Sequence, residues 1–288
     1  MTQLNLSFFG PFQAVLNQTP ITNFRSSKIQ GLLIYLSLTS GQEHARHELA
    51  ALFWPEEPDN VAKKNLRQSL YRLRQILGDS EESDRPFLLI NRSAIRWNQT
   101  SRTSLDVDNF LAAVERKELE VATSLCVGEL LPSFSCDSEP FDTWLQQERK
   151  RLERLNLSTL STLAEQTLAQ GDYKKVEALA QQQLALVPWR EKAHRQLMQA
   201  LALQGERSAA VAQYERCRAV LESELGIKPA AETEQLAKQI RQSLSAPAAR
   251  PTGRNPASQQ QLTIPFVGRQ EEFKALTSSY QQMLHDGL

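Results

Sequence analysis

Between residues 58 and 77, five cations, Lys63, Lys64, Arg67, Arg72 and Arg74, face one acidic side chain, Asp59, and Asn60, Asn65, Gln68, Tyr71 and Gln75 stand among them. Guanidinium and ammonium groups donate to guanine acceptors and neutralise phosphate, and side-chain amides pair with adenine. The same stretch carries Ala62, Leu66, Leu70, Leu73 and Leu77 at steps of four, four, three and four residues, which is helical spacing. At about 100° per residue these apolar groups share one narrow sector. Lys64, Gln68, Tyr71 and Gln75 fall opposite it, and Asn60, Asn65, Arg67 and Arg72 fall on its flanks. Pro58-Asp59-Asn60 supplies a helix start, and Gly78 supplies the stop. The candidate contacts to double-stranded DNA are Lys63, Lys64, Asn65, Arg67, Gln68, Tyr71 and Arg72. Any solvated helix can carry such a face, so its neighbours decide what it is for.

Those neighbours read in order. Leu4, Leu6 and Phe8, then Phe12, Ala14 and Leu16 across Gly10-Pro11, alternate as two short antiparallel strands. Helical spacing follows from Ser27, with Ile29, Leu32, Leu33 and Leu36 on one face and Ser26 or Ser27 as the N-cap, ending near Gly41. A second short helix covers about 46–53 and stops at Trp54-Pro55, and the basic helix is the third. Residues 87–90 and 94–97 are β-rich runs about Asn91-Arg92-Ser93, a hairpin signal. Arg92 at its tip and Arg96 on its second strand complete the candidate DNA-contacting set, as cations of a wing reaching the backbone or minor groove.

Beyond residue 104 the pattern is almost wholly helical to about 244. Residues 34 apart match there: Leu163 with Leu197, Gln170 with Gln204, Gly171-Asp172 with Gly205-Glu206, and Leu186 with Val220. That is the tetratricopeptide period. Pro188 closes the first unit. Ala210 and Tyr214 suit the repeat, whereas Val176 and Ala180 fit it poorly. Pro247, Pro251, Pro256 and Pro265 among Ala, Ser, Arg and Gln mark a linker. The expected fold class is mainly α with small β: a winged helix over 1–103 (small sheet, three helices, wing hairpin), then an all-α tetratricopeptide-like domain over 104–244. A flexible linker is expected over 245–265 and the truncated start of a further domain over 266–288.

The chain has no net charge, with 33 basic and 33 acidic residues, but the balance is uneven along it. Residues 1–103 hold 12 Lys+Arg against 9 Asp+Glu, and residues 104–244 hold 17 against 21. A hydrophobic share of 41% suits a folded globular chain, and no apolar stretch approaches a bilayer span. The first ten residues do not read as a secretion or transit signal, so a cytoplasmic location is expected. Cys126, Cys136 and Cys217 form no close pair and read as small buried hydrophobes. His44 and His47, with Glu43 and Glu48 nearby, lack a third metal ligand and read as solvent-facing residues at a helix start. Arg149-Lys150-Arg151 with Arg154, between Glu148 and Glu153, reads as a salt-bridged solvated face. No set of side chains suggests an enzyme, a metal or a cofactor.

With these residues in place, Leu52-Phe53-Trp54-Pro55 leading into the run Asn65-Leu66-Arg67-Gln68-Ser69-Leu70-Tyr71-Arg72-Leu73-Arg74-Gln75-Ile76-Leu77-Gly78 resembles the Streptomyces antibiotic regulatory protein (SARP) family. The second half resembles that family's bacterial transcriptional activator domain. It does so through Asp106-Val107-Asp108-Asn109-Phe110, Gly128-Glu129-Leu130-Leu131-Pro132, Trp144 with Glu148-Arg149, and Leu225-Gly226-Ile227-Lys228-Pro229. The resemblance, over about residues 4–244, implies that helix 60–77 is a recognition helix. It also implies an activating role, and that the helical domain serves self-association, as in a homodimer, or contact with RNA polymerase or another transcription protein. Phe266-Val267-Gly268-Arg269-Gln270-Glu271-Glu272 resembles the start of a signal-transduction ATPase domain, although no Gly-Lys-Ser or Gly-Lys-Thr loop occurs in the sequence. The competing reading is a tetratricopeptide-like adaptor whose winged helix binds protein.

Overall fold

Alternation in the first residues becomes a sheet because Leu4 and Leu6 turn inward while Asn5 and Ser7 turn out along strand β1 (Leu4–Ser7). β1 pairs antiparallel with β2 (Gln13–Leu16), which pairs with β3 (Thr19–Pro20). The computed structural model describes residues 2–79 and 85–245. The expected linker and ATPase-like start lie outside the described residues, apart from residue 245 at the end of the last helix.

Helix α1 (Ser27–Leu38) begins where the Ser26 hydroxyl accepts from the Lys28 backbone N–H, as expected from its serines. Strand β4 (His44–Ala45), α2 (Arg46–Phe53) and α3 (Asp59–Leu77) follow. Strands β5 (Leu88–Ile90) and β6 (Ala94–Trp97) form the hairpin, and β4 joins β6 to give a three-stranded sheet in the order β4-β6-β5. Gly31 of α1 is a close-approach position. A side-chain carbon added there would lie 3.0 Å from the Phe53 ring and 3.1 Å from the Cys136 sulfur.

Strand β7 (Thr103–Leu105) then runs parallel to β1, completing a four-stranded sheet in the order β3-β2-β1-β7. The boundary expected between residues 103 and 104 falls inside this strand. Asp106, at the start of α4 (Asp106–Glu115), accepts from the Phe8 and Phe9 backbone N–H groups at 2.7 and 2.9 Å. One apolar core accordingly runs from Leu4 through Leu77, Trp97 and Phe110 to Leu152. Burial raises the Asp106 carboxyl pKa, and the backbone N–H groups it accepts from oppose that rise.

After α5 (Leu119–Leu125), the 32-residue helix α6 (Glu139–Gln170) bridges two packing environments. Its first half sets Phe141 and Leu145 into the N-terminal core, with the Phe141 ring 5.2 Å from that of Phe53 and Trp144 4.6 Å from Tyr35. Its second half, with Leu160, Leu163 and Ala164, packs on Val176 and Leu179 of α7 (Tyr173–Leu186). Helices α8 (Glu191–Leu203), α9 (Arg207–Leu225) and α10 (Ala231–Ser245) continue the layer. α7 and α9 begin 34 residues apart, as the repeat requires. Val176 and Ala180, which fit the consensus poorly, are nonetheless fully buried, as Ala210 is. Polar groups also cross this layer: Gln183 donates to Gln196 at 2.8 Å, and Gln196 donates to the Ser161 carbonyl at 2.9 Å. Among the described residues no helix is long and apolar enough to cross a membrane.

Candidate nucleic-acid interface

Helix α3 holds its apolar sector against the core: Ala62, Leu66, Leu70, Leu73 and Leu77 are all buried. Lys63, Lys64, Arg67, Gln68, Tyr71 and Arg72 are exposed, while Asn65 is half-buried on the flank. Tyr71 stands 63% exposed and accepts from the Gln75 side-chain amide at 2.9 Å. Lys63 pairs with Asp59 one turn earlier at 2.5 Å. The basic excess on the outward face therefore rests on Lys64, Arg67 and Arg72, together with the half-buried Arg74.

The end of this helix also positions the hairpin. Gly78 takes the left-handed conformation at φ 67°, where a residue lacking Cβ is least strained, and turns the chain. Asp79 follows, and its two carboxylate oxygens accept from the Phe87 and Leu88 backbone N–H groups at 2.8 and 2.9 Å. The base of the wing is thereby fastened to the end of α3. Burial raises the Asp79 carboxyl pKa, against the opposing pull of these two N–H groups and Arg74.

The tip is fastened at its other end. Asn91 accepts from the backbone N–H groups of Ser93 and Ala94 at 2.8 and 2.6 Å, and the Arg46 N–H at the start of α2 donates to the Ser93 carbonyl at 3.0 Å. Arg92 in the turn and Arg96 on β6 are both exposed. Two cations thus ride on a hairpin tied to α2 and α3, but no direct bond joins them to the α3 side chains among the described residues.

Two of the sequence expectations are corrected here. His44 is not a solvent-facing residue at a helix start: it lies in β4, buried, with Nε2 2.8 Å from the Thr39 hydroxyl and its ring 5.0 Å from that of Tyr35. Strand pairing with Ile95 draws it inward, and burial lowers its pKa. Arg149 is not part of a solvated face either. It is 9% exposed, donates to the Leu130 carbonyl at 2.9 Å and to the Leu131 carbonyl, and so fastens the loop that carries Gly128-Glu129-Leu130-Leu131-Pro132. The expected surface pairing holds for Arg151, which meets Glu148 at 2.9 Å.

Periodicity gave no signal for the roles of Asp79 and Asp106, although Asp106 opens one of the motifs that carry the family resemblance; each is a carboxylate accepting from backbone N–H groups of another segment. Among the described residues no group of three or more His, Cys, Asp or Glu is placed to hold a metal ion. Cys136 and Cys217 are buried and Cys126 is half-buried. Burial pushes the thiol pKa of Cys126 and Cys136 up to about 12 and that of Cys217 to about 11.

A small sheet, three helices and a wing, continued by a helical repeat layer, define a winged helix joined to a tetratricopeptide-like domain. The chain belongs to the bacterial transcriptional activator domain family, which residues 95–241 match, in keeping with the resemblance carried by its motifs. It is 27% identical over 240 residues to the regulatory protein AfsR of Streptomyces griseus, a match spanning 82% of this chain and 24% of AfsR. The chain thus spans about a quarter of that relative's length. It is 25% identical over 241 residues to the transcriptional regulatory protein MoaR1 of Mycobacterium tuberculosis, covering 79% of this chain and 76% of MoaR1. The solved structure of Mycobacterium tuberculosis EmbR in complex with a low-affinity phosphopeptide shares the fold, with a TM-score of 0.67 and 22% identity over 84% of this chain and 66% of EmbR.

Proposed function

We propose that the chain is a sequence-specific DNA-binding activator of transcription that reads the major groove with α3, and that it is not an enzyme. The observation that carries this reading is the outward face of α3: cations and amides stand exposed on a helix whose opposite side is sealed into the core. Arg67 and Gln68 read base edges. Lys64, Arg72, Arg92 and Arg96 bind phosphate. The helical layer serves self-association or contact with RNA polymerase or another transcription protein, and the protein works in the cytoplasm. The winged-helix and helical parts are assigned to residues 1–103 and 104–244 as functional units, with the shared core transmitting between them.

The test compares Lys64→Ala, Arg67→Ala and Gln68→Ala on a preferred and a scrambled duplex. Arg67→Ala and Gln68→Ala relax sequence preference by about 1–3 kcal/mol per lost base contact, whereas Lys64→Ala weakens binding to both duplexes alike. Equal, sequence-independent losses in all three would remove the base-reading assignment.

A further inference from the structure

Arg149, Leu152, Asn156 and Leu160 form one stripe along α6, by their spacing of three, four and four residues, and Glu153, four residues after Arg149 and three before Asn156, flanks it. Loop 126–130 and the last turn of α7 stand against this stripe. Two adjoining cavities open between them, with volumes of about 330 and 490 Å³, and Cys126, Gly128, Asn156, Ala185 and Leu186 line both. These volumes suit a small organic ligand.

The lining has an apolar body and a surplus of acceptors. Leu152, Leu160 and Leu186 provide apolar surface. Asn156 is only 7% exposed, and its buried amide oxygen has no hydrogen-bond partner. A buried acceptor without a partner is rare in folded proteins and calls for a donor. The Thr123 and Ser124 hydroxyls donate back to carbonyls of α5, which leaves their lone pairs for the groove. Glu129 and Glu153 add carboxylates at its exposed rim. The cation on the stripe, Arg149, is already held by the Leu130 and Leu131 carbonyls and lies 3.6 Å from Glu129.

We propose that this groove binds a small organic ammonium compound, its apolar part against Leu152, Leu160 and Leu186 and its N–H donors toward Asn156 and Glu153. Glu129 is paired with Arg149, so a neutral ligand of the same shape leaves the Glu153 carboxylate without a cation in the groove, and an anionic one meets it with like charge. The site is distinct from the α3 face and stands whether or not α3 binds DNA.

The full chain is titrated calorimetrically with phenylbutylamine, phenylbutanol and phenylbutyrate. The amine is expected to saturate in the millimolar range or below and to bind at least about tenfold tighter than the alcohol or the acid. Ala185→Trp, made at an exposed position of α7, fills the groove and abolishes amine binding. Glu153→Gln weakens the amine about threefold or more and leaves the alcohol unchanged. Both positions are exposed, so melting temperatures close to that of the unaltered chain verify that the variants are folded. Equal affinity for the three probes, no saturation by the amine at about ten millimolar, or amine binding that survives Ala185→Trp unchanged would each overturn the assignment.

Discussion

Replacing Asp79 with Ala tests how the wing is held. The carboxylate accepts from the Phe87 and Leu88 N–H groups at 2.8 and 2.9 Å, and its loss leaves both donors without that acceptor at the base of β5. A hydrogen bond to an ionised group contributes roughly 1.5–3 kcal/mol. Burial raises the Asp79 carboxyl pKa, so the ionised form has lost hydration, and the lower end applies to each bond. The expected loss is about 3 kcal/mol, a large share of the roughly 5–15 kcal/mol that holds an ordinary domain together. Denaturant titration at neutral pH reads it as a lower midpoint with unchanged slope. A freed wing also withdraws Arg92 and Arg96 from the DNA backbone, so the dependence of log affinity on log salt flattens by about 1.8, at about 0.9 for each lost phosphate contact. An unchanged unfolding midpoint in Asp79→Ala would refute the anchoring argument.

Two further outcomes follow from the buried polar groups. Arg149→Met leaves the Leu130 carbonyl without the Arg149 donor and the Leu131 carbonyl with the Phe134 N–H alone, and is expected to cost about 1–3 kcal/mol in denaturant titration; a loss under about 0.5 kcal/mol would contradict the structural role given to this arginine. His194 is buried between the Pro188 carbonyl, 2.9 Å from Nε2, and the Gln213 amide, 2.7 Å from Nδ1, and burial lowers its pKa despite the opposing carbonyl and Glu191. The neutral ring donates through Nε2 and accepts through Nδ1, and a second proton would set two donors face to face. Because the folded pKa lies below the unfolded value of about 6.5, this contribution to stability is full above that pH and is lost as the pH falls toward the folded value. The melting temperature is therefore expected to drop between about pH 7.5 and 5.5, and to drop less in His194→Gln; an identical pH profile in that variant would remove the assignment.

The legible parts of the sequence were those written in periodicity. Leu66, Leu70, Leu73 and Leu77 marked the buried side of α3 and so also its exposed side, and the runs about Asn91-Arg92-Ser93 gave the hairpin. Contacts between distant segments were not legible. β7 is not expected as a strand because its three residues carry little alternation, and only its pairing with β1 makes it one. His44 reads as solvent-facing until β6 draws it into a sheet. Arg149 carries the same local signature as its neighbours Lys150 and Arg151; what separates it is a loop about twenty residues earlier whose Leu130 and Leu131 carbonyls accept from its guanidinium. The roles of Asp79 and Asp106 have the same origin, a carboxylate meeting backbone N–H groups of another segment.

The most direct test of the central claim is the affinity of the full chain for the DNA upstream of its own gene and for a scrambled duplex of equal length, each at two salt concentrations. Tighter binding to the upstream DNA is predicted, with a salt slope near −3.6 per chain if Lys64, Arg72, Arg92 and Arg96 all meet phosphate, at about −0.9 per contact. Weak and equal binding to both duplexes, joined by a genomic selection that finds no preferred site, would contradict the DNA-reading account and leave the winged helix as a protein-binding module.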